Sequence, residues 1–145
     1  MHVRKSRFGA VSIASVELPG RANDNFMYIF VNGTPMFVNP NNVFDHAPAP
    51  WAKNKAFLAI AKTHPNANVF PEEAFVGESA RPGGGQRYRF AFPIVDGCHA
   101  CARVGIVYVG YDFAHDGSAA GSSVTAIHEC PSSDVRCETF VSGEI

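Results

Sequence analysis

Cys98-His99-Ala100-Cys101 is the segment whose residue types and spacing carry the most chemistry in this chain. A Cys-x-x-Cys with an internal His supports three chemistries: thiol–disulfide exchange, half of a metal site, or a disulfide that pinches a hairpin tip. A second pair, Cys130 and Cys137, brackets a short polar loop further along the chain.

Redox chemistry needs a thiolate, which helix N-termini and nearby cations stabilise. The residues after Cys101 run Ala102-Arg103-Val104-Gly105-Ile106-Val107, a strand pattern. The helix dipole of a thioredoxin-type site is therefore not expected, although His99 and Arg103 would lower a thiol pKa somewhat. Zinc needs four ligands. Cys98 and Cys101 supply one half, and Cys130 and Cys137, with His128 beside them, supply a second half of wider spacing than usual. A c-type haem site would place His after the second Cys, not the first.

Two disulfides, Cys98–Cys101 and Cys130–Cys137, are the favoured reading. Across a tight turn two α-carbons fall within the ~4.4–6.8 Å that a bridge requires. Loop entropy assigns about 2 kcal/mol to the small ring and about 2.5 kcal/mol to the larger. A crossed pair would contribute more, nearly 4 kcal/mol, so local pairing rests on geometry and not on energy. The small ring's main effect is to fix the tip. Asp96, Cys98, His99, Cys101 and Arg103 then form a preorganised binding loop, with its ordering entropy already spent in folding.

The elements that must position this loop are mostly strands. Tyr88, Phe90 and Phe92 alternate with Arg87, Arg89 and Ala91, so residues 86–95 read as a strand with one apolar face. Pro93 is expected to end regular pairing there. Residues 104–109 are apolar on both faces and read as a central strand within 102–113. Residues 7–17, 26–31 and 122–127 complete the strand set, and His115-Asp116-Gly117 makes a turn. Asn32-Gly33 predicts a type I′ hairpin with 34–38 as its second arm. One helix is expected over about 50–62, opened by Pro50 and ended by Thr63-His64-Pro65, with Trp51, Phe57, Leu58 and Ile60 on its apolar stripe. A second short turn is expected at 71–75. The sum is a single α+β domain over 1–145: a mostly antiparallel sheet of about five to six strands with one main helix packed on it.

The chain of 145 residues is long enough to bury a core without cystine support. Its charged fraction of 17% lies below the roughly 25% usual for globular domains, and its net charge of −1 offers no bulk attraction to nucleic acid or anionic membrane. No apolar run is long enough to span a bilayer. Arg4, Lys5 and Arg7 precede a short, broken apolar stretch that makes a poor signal peptide and a better first strand. Paired cysteines suit an oxidising compartment. A periplasmic or secreted protein is expected, with its signal peptide absent from this numbering.

The stretch from Gln86 through Gly97-Cys98-His99-Ala100-Cys101 to Tyr111 resembles the bacterial periplasmic inhibitors of vertebrate lysozyme. Those are small α+β proteins in which a short cystine loop containing a His lies between two strands and enters the lysozyme cleft. The resemblance implies a non-enzymatic inhibitor of a lysozyme-type glycosidase, with His99 as the inserted residue. This loop holds two residues between its cysteines where that family holds four.

Other motifs resolve into plainer readings. No Gly-x-Ser-x-Gly elbow is present; Gly77-Glu78-Ser79-Ala80-Arg81 lacks the final Gly. Asp112 to Gly117 lacks calcium-loop spacing, and Gly83-Gly84-Gly85 lacks the Lys-Ser/Thr of a phosphate loop. Arg87 and Arg89 read as a solvated sheet face, not a nucleic-acid platform. The reading is thus a protein-binding module with no catalytic residue and no cofactor. Its alternative is a zinc-stabilised domain on Cys98, Cys101, Cys130 and Cys137, with a thiol oxidoreductase behind it.

Overall fold

A computed structural model describes residues 1–20, 26–34, 36–38, 53–98 and 100–130. The strands are β1 (His2–Arg4), β2 (Ser12–Glu17), β3 (Phe26–Val31), β4 (Ala67–Val69), β5 (Ala74–Ala80), β6 (Gln86–Asp96), β7 (Arg103–Phe113) and β8 (Ala119–Glu129). The helix α1 (Lys55–Thr63) lies between β3 and β4. All pairings are antiparallel. The mostly antiparallel α+β reading therefore holds. The single sheet of five or six strands does not: among the described residues eight strands form two sheets, one in the order β1-β2-β3 and one in the order β4-β6-β7-β8 with β5 also on β6.

The two sheets pack through aromatic rings. In β6 the residues Tyr88, Phe90, Phe92 and Ile94 alternate onto one face and are buried there. From the small sheet, Phe30 meets four of the large sheet's rings: Tyr88, Phe90, Tyr111 and Phe113, at centroid distances of 5.6, 5.9, 5.2 and 4.9 Å. These tilted and edge-on geometries suit ring quadrupoles. Tyr28 packs on Phe90 and Phe75 beside them.

A polar clamp crosses between the same layers. Gln86 is fully buried. Its Nε2 donates to the Val11 carbonyl at 2.8 Å, and its Oε1 accepts from the Val11 N–H at 3.0 Å. The primary amide thus imitates a peptide group and satisfies a backbone that no strand pairs. Tyr88 donates its hydroxyl to the same carbonyl at 2.8 Å. Burial, with the Glu78 carboxylate nearby, pushes the Tyr88 phenol up to about 12.

Pro93 does not end β6. The strand continues to Asp96, and Pro93 pairs with Ile106. A residue's N–H and C=O point to the same side of a strand. The Pro93 carbonyl accepts from Phe70 N–H, on the β4/β5 side. Its missing donor therefore falls between the end of β4 at Val69 and the start of β5 at Ala74, opposite Phe70, whose carbonyl accepts instead from Glu72 N–H at 2.8 Å.

Helix α1 starts later than 50. Asn54 is its N-cap, with Oδ1 accepting from Ala56 N–H at 2.9 Å; residues 50–52 lie outside the described set. Phe57 and Ile60 are buried, as their spacing predicts, but Leu58 is half exposed because its side of the helix faces away. Ile60 sits over Gly105, where a Cβ would come within 2.8 Å of its Cδ1. Asn54→Ala should cost about 1 kcal/mol in chemical denaturation; an unchanged midpoint would show that the cap is not stabilising.

Other local expectations shift as well. The predicted turn at 71–75 instead leads into β5, and β1 and β4 are additional short strands. Asn32 has φ 65°, but Gly33 is not left-handed, so the turn is not type I′. Its second arm is reduced to an isolated Ile29–Phe37 bridge, flanked by Phe30 N–H to Met36 O and Val38 N–H to Tyr28 O.

Candidate functional site

β6 and β7 are joined by the cysteine turn, so the predicted strand-to-strand setting holds. Cys98 and Cys101 are joined by a disulfide with α-carbons 4.9 Å apart. The turn is closed further by Cys101 N–H to Cys98 O at 3.0 Å and by Asp96 N–H to Ala102 O at 2.9 Å. Gly97 has φ +103°, which starts the turn in a conformation that side chains resist.

Two neighbours brace the tip from the side. Asn68, on β4, donates its amide to the Gly97 carbonyl at 3.1 Å. His64, the C-cap of α1, places Nδ1 3.3 Å from Asp96 Oδ2. The sequence offered no sign of either contact, because both depend on β4 pairing with β6 and on where α1 ends.

The predicted loop residues divide into two groups. Asp96, Cys98 and Cys101 lie together at the tip. Arg103 lies at the base, its Nη2 3.4 Å from Glu72 Oε2, and so is engaged with the segment before β5. His99 lies outside the described residues. Cys130 is disulfide-bonded, and its N–H donates to the Val104 carbonyl at 2.9 Å, near the same end of the sheet. Cys137, its expected partner, lies outside the described residues.

This arrangement narrows the chemistry. Cys98 and Cys101 bond to each other and Cys130 is also oxidised, so these are not the thiolates that the four-cysteine zinc alternative requires. Among the described residues no three His, Cys, Asp or Glu side chains gather in a metal-binding group. Among the described residues, the helix end beside the tip is the C-terminus at His64, whose dipole disfavours a thiolate. Asp116 accepts from the N–H and hydroxyl of Ser118 at 2.9 and 2.6 Å, which makes its loop an ordinary turn.

A second polar cluster lies on the outer face of the large sheet. Arg87 grips Asp112 with two bonds, Nε to Oδ1 at 2.6 Å and Nη2 to Oδ2 at 2.8 Å. Arg81 Nε stands 3.6 Å from the same carboxylate. The alternation of β6 predicts a polar Arg face; only the register of β6 on β7 puts Asp112 opposite Arg87.

No described helix is long and apolar enough to cross a membrane. The Cys98–Cys101 disulfide fits an oxidising environment. Set against protein-family models, curated proteins and solved structures, the chain finds no match, so its braced tip and Arg-lined sheet face are the ground for assigning it a function.

Proposed function

We propose that this chain is a non-enzymatic binding protein of the periplasm or the cell exterior, with the Cys98–Cys101 turn as its contact element. The observation that carries this reading is the bracing of the tip: a cystine across it, Asn68 on Gly97, and His64 beside Asp96. Such a tip loses little entropy on binding, so more of its contact energy remains as affinity. The concrete partner is a lysozyme-type glycosidase. The tip would occupy the catalytic cleft, and His99 would hydrogen-bond to the carboxylates that perform hydrolysis.

The test is inhibition of a vertebrate lysozyme by the wild-type chain and by His99→Ala. A central contact residue is worth about 2 kcal/mol or more, so the substitution should weaken inhibition about 30-fold or more. The melting temperature should be nearly unchanged, which separates a lost contact from a lost fold. Inhibition by the variant equal to that by wild type would remove the tip from the mechanism, and no inhibition by either would remove lysozyme as the partner.

A further inference from the structure

On the outer face of the large sheet, β6 carries two arginines with opposite fates. Arg87 lies directly across from Asp112, which accepts both of its hydrogen bonds. Arg89, the next residue on that face, lies across from Gly110 on β7 and from Gly77 on β5. The register that supplies a carboxylate to Arg87 thus supplies only backbone on either side of Arg89. Arg89 is exposed and makes no ion pair among the described residues.

On this face lies a groove of ≈360 Å³ lined by Val76, Arg87, Arg89, Tyr108, Thr125 and Ala126. Gly110 lets two of these side chains close over β7: a Cβ there would come within 3.1 Å of Thr125 Cγ2 and 3.2 Å of Arg87 Cδ. Val76 is the extra residue of a β-bulge, which leaves its apolar side chain 44% exposed at the groove's edge. Two guanidiniums, of Arg87 and Arg89, line the groove, and among the described residues only Arg87 has a carboxylate partner, Asp112, so Arg89 leaves surplus positive charge there.

We propose that this groove binds a small organic carboxylate with a flat apolar body. The carboxylate takes at Arg89 the bidentate position that Asp112 takes at Arg87. The apolar body lies against Tyr108, Val76 and the Thr125 methyl. A guanidinium in such a groove selects a planar anion, because its donors form a rigid fork that matches two carboxylate oxygens. The site is on the half of β6 away from the cysteine turn, so it stands or falls independently of the proposed tip contact.

The test uses sodium benzoate, followed through amide shifts in nitrogen–proton correlation spectra. Benzoate should bind with Kd on the order of 1 mM, as befits so few atoms, and should shift residues of β5, β6 and β7 around Arg89. Arg89→Gln should weaken it about tenfold or more, the worth of one charge-assisted bidentate contact, with the rest of the spectrum unchanged. Arg89→Lys should recover part of the loss, since it keeps charge but not the fork. Benzamide, flat but neutral, should produce no comparable shifts, and phosphate, anionic but without an apolar body, should bind more weakly than benzoate. Equal binding of benzamide, equal binding of phosphate, an unaltered Arg89→Gln titration, or the absence of benzoate shifts would each overturn the proposal.

Discussion

Phe30→Ala should destabilise the protein by about 3–5 kcal/mol, the usual cost of deleting a buried aromatic ring. Phe30 is fully buried and contacts four rings of the opposing sheet. Its removal would open a cavity between the layers, and those four neighbours cannot collapse into it without leaving their own strands. For a chain of this length the loss corresponds to a fall in melting temperature of about 10–15 °C. Phe30→Leu should cost far less, about 1–1.5 kcal/mol, because most of the volume is kept. Thermal and urea unfolding of the three proteins check this. A loss below about 1 kcal/mol for Phe30→Ala would mean that the sheets are not held together through this ring.

Gln86→Leu should cost about 2–4 kcal/mol, although it replaces a polar residue by an apolar one of similar size at a buried position. The reason lies 75 residues away. Gln86 is the partner of the Val11 N–H and one of two partners of the Val11 carbonyl. Leu would leave that N–H without a partner in the core, with only Tyr88 remaining on the carbonyl. Gly9 packs so closely on the Gln86 amide that a Cβ there would overlap its oxygen, so a displaced side chain has no room to bring in water.

Gln86→Glu gives the sharper test. One carboxyl oxygen can still accept from Val11 N–H, but the other must face the Val11 carbonyl, and an ionised carboxylate would be fully desolvated. The folded state would hold this acid protonated, with its pKa raised above the unfolded value. Its penalty should therefore be smallest in acid and grow as pH rises through and above the unfolded carboxyl pKa. Denaturation midpoints of this variant and wild type, compared across pH, check the sign. A pH-independent difference would show that the side chain has left the clamp.

These effects show which parts of the molecule were open to local reading. Three features were legible because each is local. The β6–β7 hairpin follows from period-two alternation around a cysteine turn, and the disulfide from its short spacing. The end of α1 follows from Pro65, which disfavours a helical conformation at the residue before it. Pro93 was misread by the same kind of rule. The rule is sound where the facing strand needs a donor, but the missing N–H of Pro93 faces Phe70, between β4 and β5, whose carbonyl is satisfied by Glu72 N–H. Spacing puts Leu58 on the apolar stripe, but it specifies a helix face only to within a residue or so, and packing leaves Leu58 half exposed.

Alone, the amino-acid sequence determined the strand-rich class, the turn that brings Cys98 and Cys101 within bridging reach, and the face on which Arg87 and Arg89 stand. Each depends on backbone preferences and side-chain periods that operate over a few residues. Tertiary structure alone decided the division into two sheets, the Gln86 clamp on Val11, and the difference between a paired Arg87 and an open Arg89. These depend on sheet packing and strand register. A shift of one residue in the pairing of β6 with β7 would move every partner to the opposite face. Periodicity says which residues share a face, but it does not say what stands across from them.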